Sequence, residues 1–313
     1  MTVTAEFYSD LAEGPEDGAA WWLTTKDNVR IRIGGWGAGA PNGTILLFPG
    51  RTEYIEKYGR SAQDFLGYGY ATLAIDWRGQ GLADRLVDDP QKGHVGVFPD
   101  YQNDVSSLID HAETLGFKPP YYLVAHSMGG CIGYRALTEG LPVQAAVFTG
   151  PMWGIVMHPI LKPLAPTIAS VGKSLGFGSS FAPSTSKENY VQAQPFEGNT
   201  LTTDPCMYKY MQKHLQAKPQ LGLGGPTLNW LDTALDEINF IMASDAPKIP
   251  TRCYIGTAEK IVDPVNIHKR MGNWPGAELI EVSLAEHEVL METPEIRNRV
   301  IEEICYFFGK NAA

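Results

Sequence analysis

One stretch constrains this chain more than any other: Tyr121-Tyr122-Leu123-Val124-Ala125-His126-Ser127-Met128-Gly129-Gly130-Cys131-Ile132-Gly133. A β-branched and aromatic run leads into a Ser among tiny residues, and a helix-forming run follows. Strand, sharp turn and helix in that order lift a Ser hydroxyl clear of the backbone at the end of a parallel strand, the geometry of a nucleophile elbow. Such a turn leaves almost no room two positions before and after the Ser. Gly129 meets this demand, and Ala125 exceeds it by a single methyl. The Met128 N–H, at the start of the helix, would face an oxyanion. The literal G-x-S-x-G pattern falls elsewhere, at Gly172-Lys173-Ser174-Leu175-Gly176. No apolar strand leads into it and Phe177-Gly178-Ser179-Ser180 follows in place of a helix, so context favours Ser127 over Ser174. The Gly172-Lys173-Ser174 triplet is no phosphate loop either, because position 167 is Thr where that motif needs Gly.

The rest of the chain supplies a sheet for this elbow. Trp21-Trp22-Leu23-Thr24-Thr25 and Val29-Arg30-Ile31-Arg32-Ile33 flank Lys26-Asp27-Asn28 and read as an antiparallel hairpin. Thr44-Ile45-Leu46-Leu47-Phe48 and Tyr70-Ala71-Thr72-Leu73-Ala74-Ile75-Asp76 are continuous apolar runs, typical of strands buried on both faces. Helical spacing marks residues 55–66 and 98–115. Val143-Gln144-Ala145-Ala146-Val147-Phe148-Thr149, Arg252-Cys253-Tyr254-Ile255-Gly256 and Glu278-Leu279-Ile280-Glu281-Val282-Ser283 add three further strands. A helix over 264–271 and a final one starting at Thr293-Pro294 complete the alternation, the last with Ile296, Val300, Ile304 and Phe308 as its apolar stripe. This is an α/β fold with a mostly parallel sheet and helices on both faces. Sites in such sheets sit beyond the carboxyl ends of the strands, where Pro49-Gly50-Arg51, Asp76-Trp77-Arg78 and Ser127 all fall.

The alternation stops at Pro151 and resumes near Pro250. Residues 1–150 and 246–313 form the expected core, and 151–245 an inserted cap, helical over 205–215 and 227–242. Its first part, 152–177, has no Asp or Glu but carries Lys162 and Lys173 among Trp153, Ile155, Val156, Ile160, Leu161 and Leu164. Pro159, Pro163 and Pro166 exclude a regular membrane-spanning helix. Two readings stand: a lid that receives an acyl chain or touches a lipid surface, or a cap packing its apolar side on the core.

A Ser hydroxyl is a poor nucleophile at neutral pH, and needs a base that is itself oriented by a carboxylate. In sheets that carry an elbow Ser, the partners follow in the chain order serine, acid, histidine. Of the seven histidines, His287 alone lies after the candidate acids and in a loop beyond a strand's carboxyl end. His126 reads as a packed neighbour within the elbow, and His94, His111, His158, His214 and His268 as surface or local structure. No pair has metal-ligand spacing, and nothing calls for a cofactor. Two acids compete. Glu259 stands just after its strand, where the orienter is expected. Asp263 is the commoner residue type, but Asp263-Pro264 is also a helix N-cap with Pro in the first helical position, which supplies Asp263 with a structural task. The second oxyanion donor is expected from the loop after the Thr44–Phe48 strand, at the N–H of Arg51. A main-chain donor leaves the guanidinium free for an anionic head group such as a phosphate, or for a salt bridge with Glu53. The Asp76-Trp77-Arg78-Gly79 turn reads as a structural floor.

Composition narrows the partners. The 313 residues carry a net charge of -10, against nucleic-acid binding. Cys131, Cys253 and Cys305 sit in apolar runs and no C-x-x-C spacing occurs, which suits small core residues in a reducing compartment. The first residues lack a basic-then-apolar signal. The expectation is a cytoplasmic protein whose cap meets the inner-membrane surface at most transiently.

With these residues in place, the chain resembles the α/β hydrolases of the monoacylglycerol lipase and lysophospholipase group. Pro49-Gly50-Arg51-Thr52-Glu53-Tyr54, Asp76-Trp77-Arg78-Gly79-Gln80-Gly81, Gly93-His94-Val95, Ala125-His126-Ser127-Met128-Gly129-Gly130, Gly224-Gly225-Pro226-Thr227 and Glu259-Lys260-Ile261-Val262-Asp263 resemble the bacterial inner-membrane lysophospholipases in particular. The Ala before His126 is shared with them. Monoacylglycerol lipases carry Asp where this chain has Glu259, which supports Glu259 as orienter. The resemblance implies a cofactor-independent serine hydrolase for single-chain acyl esters, with Ser127, His287 and Glu259 in the catalytic roles and Arg51 and Met128 as oxyanion donors. A small-ester, thioester or lactone hydrolase would use the same triad. A non-catalytic binding protein on this fold would lack one of its members.

Overall fold

Alternate residues of the central strands feed two separate apolar layers, and that alternation explains the sheet. Leu46, Phe48, Leu73, Ile75, Leu123 and Phe148 enter one core, while Ile45, Leu47, Ala74, Tyr122, Val124 and Val147 enter the other. A sheet apolar on both faces must be covered on both. The computed structural model describes residues 3–157 and 165–312. Among these, nine strands form one sheet: β1 (Val3–Thr4), β2 (Ala19–Thr24), β3 (Arg30–Trp36), β4 (Thr44–Phe48), β5 (Ala71–Asp76), β6 (Tyr121–His126), β7 (Ala146–Thr149), β8 (Thr251–Gly256) and β9 (Glu278–Val282). Their spatial order is β1-β2-β3-β5-β4-β6-β7-β8-β9. Pairings are antiparallel from β1 to β5 and parallel from there to β9. The α-helices are α1 (Ser9–Ala12), α2 (Gly59–Gly67), α3 (Tyr101–Ala112), α4 (Met128–Thr138), α5 (Ala165–Gly172), α6 (Tyr190–Ala193), α7 (Pro205–Ala217), α8 (Leu228–Ala243), α9 (Pro264–Gly272) and α10 (Pro294–Lys310).

Several boundaries differ from the periodicity. The hairpin forms, but β3 runs on to Trp36 because its far edge pairs with β5. Arg32, which alternation would turn to solvent, is fully buried and paired with Glu56 and Asp76, each at 2.8 Å. The helix expected over 55–66 opens as a 3₁₀ turn, Ile55–Tyr58, before α2, and α3 is flanked by 3₁₀ turns at both ends. Strand β1, only two residues long, carries no periodic signal.

Register then delivers the site. Phe48 pairs with Ala125 and His126 with Thr149, so the carboxyl ends of β4, β6 and β7 lie level. Between β7 and β8 the chain builds α5 to α8 and, among the described residues, no strand. This excursion is tied back at several points. Arg135 on α4 pairs with Glu237 on α8 at 2.6 Å, and Asn229 donates to the carbonyls of Val95 and Gly96. Tyr210 donates to the Ala12 carbonyl at 2.7 Å. His214, expected as surface or local structure, is fully buried against the Leu11 carbonyl at 2.6 Å, because α7 docks on the N-terminal segment. Residues 158–164, with His158, Pro159, Ile160, Leu161, Lys162, Pro163 and Leu164, lie outside the described part. Among the described residues no helix is long and apolar enough to cross a membrane. All four cysteines are free thiols, with Cys206 exposed and the other three buried.

Candidate active site

Ser127 stands between β6 and α4 with φ 51° and ψ -116°, a conformation L-residues avoid at a cost of about 1–3 kcal/mol. Its backbone is held in it. The Ser127 N–H donates to the Thr149 carbonyl (3.1 Å), while its own carbonyl accepts from Gly130 (2.8 Å) and Met152 (2.9 Å). Space explains the tiny neighbours. A Cβ on Gly129 would lie 2.1 Å from the Phe48 carbonyl oxygen, and one on Gly50 3.0 Å from the Ser127 Cβ. The methyl of Ala125 sits 3.1 Å from where a Gly133 Cβ would stand, so that helix glycine absorbs the departure at 125. Ser174, by contrast, lies exposed in a π-helical turn, Lys173–Phe177, that continues α5, with its hydroxyl donating to the Ser170 carbonyl.

His287 arrives on the loop after β9 and is buried. Its Nδ1 contacts Glu259 Oε2 at 2.7 Å. An ionised carboxylate only accepts, so Nδ1 carries the proton and Nε2 is the basic nitrogen. The other oxygen of Glu259 accepts from the N–H groups of Ile261 (2.7 Å) and Val262 (3.1 Å). Burial works against ionisation of Glu259, but the His287 ring and these two donors hold its carboxyl below the ordinary value. Burial likewise disfavours imidazolium at His287, yet Glu259, with Glu288 and Glu53 behind it, raises the ring above its ordinary value. Asp263 is the N-cap of α9, accepting from Val265 at 3.0 Å, with Pro264 in the first helical position. The carboxylate on the imidazole is thus Glu259. Gly150, at φ 48°, leaves room for the ring, since a Cβ there would come 3.1 Å from His287 Nδ1.

The loop after β4 supplies the remaining pieces. Met128 is the first residue of α4, so its N–H has no intrahelical acceptor. The Arg51 N–H likewise donates to nothing among the described residues. The Gly50 N–H is taken by Glu53. The Arg51 guanidinium does not reach Glu53; its Nη1 donates to the Gly224 carbonyl at 2.8 Å. The floor turn is structural. The Trp77 indole donates to the Pro49 carbonyl at 2.9 Å, Asp76 accepts from the Ile55 N–H, and Arg78 pairs with Asp27 and Asp104.

A buried charge cluster that motif reasoning missed lies behind the loop. Glu53 accepts from Lys57 (2.6 Å) and Tyr58 (2.5 Å), and Lys57 also pairs with Glu288, next to the histidine. Glu53 and Lys57 are four apart, which on sequence reads as a surface pair. Burial opposes the charge on Glu53, but Lys57 and its other partners bring its carboxyl down to about 2. His126 packs its ring 4.8 Å from that of His287, donates from Nδ1 to the Thr149 carbonyl (2.9 Å), and is pushed by burial down to about 3, hence neutral. Glu53, His126 and Glu288 present ligand atoms within 4.8 Å of one another. The Lys57 ammonium already bridges the two carboxylates, taking the place a metal cation would hold.

Ser127, His287, Arg51 and Glu53 line one cavity of about 550 Å³, within the usual range for small-molecule sites. Met152, Ile155, Met211, Leu215 and Leu231 form much of its apolar wall.

Comparison with known proteins agrees with this architecture. The family described as "Serine aminopeptidase, S33" (Hydrolase_4) matches residues 39–294. A probable lysophospholipase L2 of Haemophilus influenzae is 34% identical over 269 residues, 85% of this chain and 83% of that protein. Lysophospholipase L2 of Escherichia coli is 29% identical over 300 residues, 92% of this chain and 87% of its own. The solved structure of a soluble variant of monoglyceride lipase from Saccharomyces cerevisiae superposes with a TM-score of 0.70 at 18% identity, covering 93% of this chain and 95% of that one. The chain belongs to the serine aminopeptidase S33 family of α/β hydrolases and, within it, to the lysophospholipase and monoacylglycerol lipase group of carboxylic ester hydrolases.

Proposed function

We propose that this enzyme hydrolyses single-chain acyl esters, lysophospholipid or monoacylglycerol, through Ser127, His287 and Glu259. The Ser127 oxygen attacks the ester carbonyl while His287 Nε2 takes its proton. Glu259 stabilises the imidazolium, and the N–H groups of Arg51 and Met128 receive the oxyanion. The imidazolium then protonates the departing alcohol. Water, deprotonated by His287, releases the fatty acid from Ser127. The observation that carries this reading is the 2.7 Å contact of Glu259 with Nδ1 of His287, whose ring lines the cavity together with the strained Ser127.

The apolar wall supports a long acyl chain. Residues 151–245 act as the cap over a core of 1–150 and 246–313, with no cofactor in the reaction. On the cap, Val171, Leu175 and Phe177 are exposed, which supports contact with a membrane surface, at the inner membrane of a cytoplasmic enzyme. The test is Ser127→Ala. Hydrolysis of every acyl ester and labelling by a fluorophosphonate probe are both expected to vanish; turnover that persists in this variant refutes the assignment.

A further inference from the structure

The mechanism above uses the main-chain N–H of Arg51 and leaves its side chain without a task. That side chain is poorly accommodated by its own protein. Arg32 is paired with Glu56 and Asp76, Arg78 with Asp27 and Asp104, and Arg135 with Glu237. Arg85 and Arg270 lack carboxylates, but each donates to three or more backbone carbonyls. Arg51 has one carbonyl, that of Gly224 at 2.8 Å, and the Trp230 ring with its centroid 5.7 Å from Cζ. No carboxylate pairs with it among the described residues. Its Nε and Nη2, the edge that grips a planar or tetrahedral anion in two parallel bonds, donate to nothing, and neither is sealed from the cavity. Burial without a counter-charge pushes the guanidinium down to about 10, so it stays cationic at neutral pH. A half-buried cation with an open fork in a substrate cavity is a place for an anion.

We infer that the Arg51 side chain reads the phosphate of the substrate, so that the preferred esters carry a phosphate on the glycerol. This rests on the acyl-ester reading above and narrows it. The lengths agree. From the ester carbonyl carbon to the phosphorus of a lysophospholipid is six bonds, roughly 7 Å when extended, and an arginine reaches about 6 Å from Cα to Cζ. One residue thereby touches both ends of the reacting unit, its N–H on the oxyanion and its fork on the phosphate. Glu53, two residues on, is turned to Lys57, Tyr58 and Gly50, and the Lys57 ammonium offsets its charge.

The test uses the purified full chain as wild type, Arg51→Met and Arg51→Lys. The substrates are lauroyl lysophosphatidate and monolauroylglycerol, which differ by the phosphate alone. The readout is the ratio of the two kcat/KM values, because substitution at 51 affects both esters. The ratio is expected to fall about 10- to 100-fold in Arg51→Met, mainly through KM for the phospholipid. Arg51→Lys, which keeps charge without the fork, recovers part of it. Fluorophosphonate labelling of Ser127 in each variant certifies the fold. A ratio unchanged within about threefold overturns the inference, even if both rates drop together. Inorganic phosphate is the second arm. If it slows monolauroylglycerol turnover in wild type and not in Arg51→Met while the lipid ratio stays put, the site takes free phosphate, and the head-group assignment is overturned. Monolauroylglycerol turnover with an unchanged ratio leaves the hydrolase reading standing; loss of both activities in wild type would remove that reading too.

Discussion

Glu259→Gln isolates one charge. In the proposed mechanism an imidazolium forms at His287 in the transition state, its charge centre roughly 4 Å from that of Glu259, worth about 4 kcal/mol at the effective dielectric of such sites. That alone corresponds to roughly a thousandfold in kcat. A second effect adds to it. The two ends of the glutamine amide are different, and the Ile261 and Val262 N–H groups, at 2.7 and 3.1 Å, select its oxygen. The NH₂ end then faces His287 Nδ1 and favours the tautomer protonated on Nε2, which cannot accept the Ser127 proton. Together these effects put the expected loss in kcat at roughly 10³- to 10⁴-fold. The acid limb of the kcat/KM profile carries a second signature. In wild type the raised His287 value sets that limb above the ordinary histidine range, and activity falls as pH drops through it. Removing the Glu259 charge lowers the value and moves the limb to lower pH. Asp263→Asn, which keeps an equally good cap on α9, is expected to cost little stability and little turnover. Steady-state kinetics on a p-nitrophenyl ester from pH 5 to 9 decide the matter. Near-wild-type turnover in Glu259→Gln, with loss in Asp263→Asn, would refute the reasoning.

Three further outcomes follow from the packing. Gly129→Ala places a methyl 2.1 Å from the Phe48 carbonyl oxygen and 2.6 Å from that of Pro49, so thermal melting is expected to drop by at least about 6 °C, from roughly 3 kcal/mol of strain; Gly67→Ala, with nothing within 4 Å, serves as the control and leaves the midpoint level or higher. Lys57→Met strands Glu53 and Glu288 in the interior, at about 3–5 kcal/mol. In wild type the depressed Glu53 contributes stability above its unfolded value that is lost as pH falls toward about 2. Without Lys57 its folded value lies above the unfolded one, so the variant's deficit shrinks as pH falls, and urea denaturation at pH 7 and pH 5 checks this; a deficit equal at both contradicts it. On a series of p-nitrophenyl esters, kcat/KM is expected to climb with chain length as the apolar wall fills. A preference for acetate or butyrate would favour the small-ester, thioester or lactone reading instead.

What the residues disclosed in advance was whatever depends on local pattern. The runs at Thr44–Phe48 and Tyr121–His126 are buried on both faces and cannot be solvated, so they had to be central strands. Glu259 stood out because a loop position beyond a strand's end is a geometric fact of parallel sheets, and Asp263 receded because Asp-Pro is a helix start. What stayed hidden depends on partners distant in the chain. Arg32 looks like an exposed alternate of β3 until Glu56 and Asp76 close on it from two other elements. Lys57 looks like a solvated partner of Glu53 until Glu288, more than two hundred residues on, joins it. His214 has no local signal at all, because its acceptor is the Leu11 carbonyl.

The adjacency of β7 and β8 has an evolutionary consequence. Thr149 pairs with Tyr254, so the chain departs and comes home on neighbouring strands, with the whole stretch 150–250 spent elsewhere. Such an arrangement behaves like a socket. A different excursion could be grafted between the same two strands without disturbing their pairing, so under the proposed function ester preference is free to change in the detour while the sheet stands still.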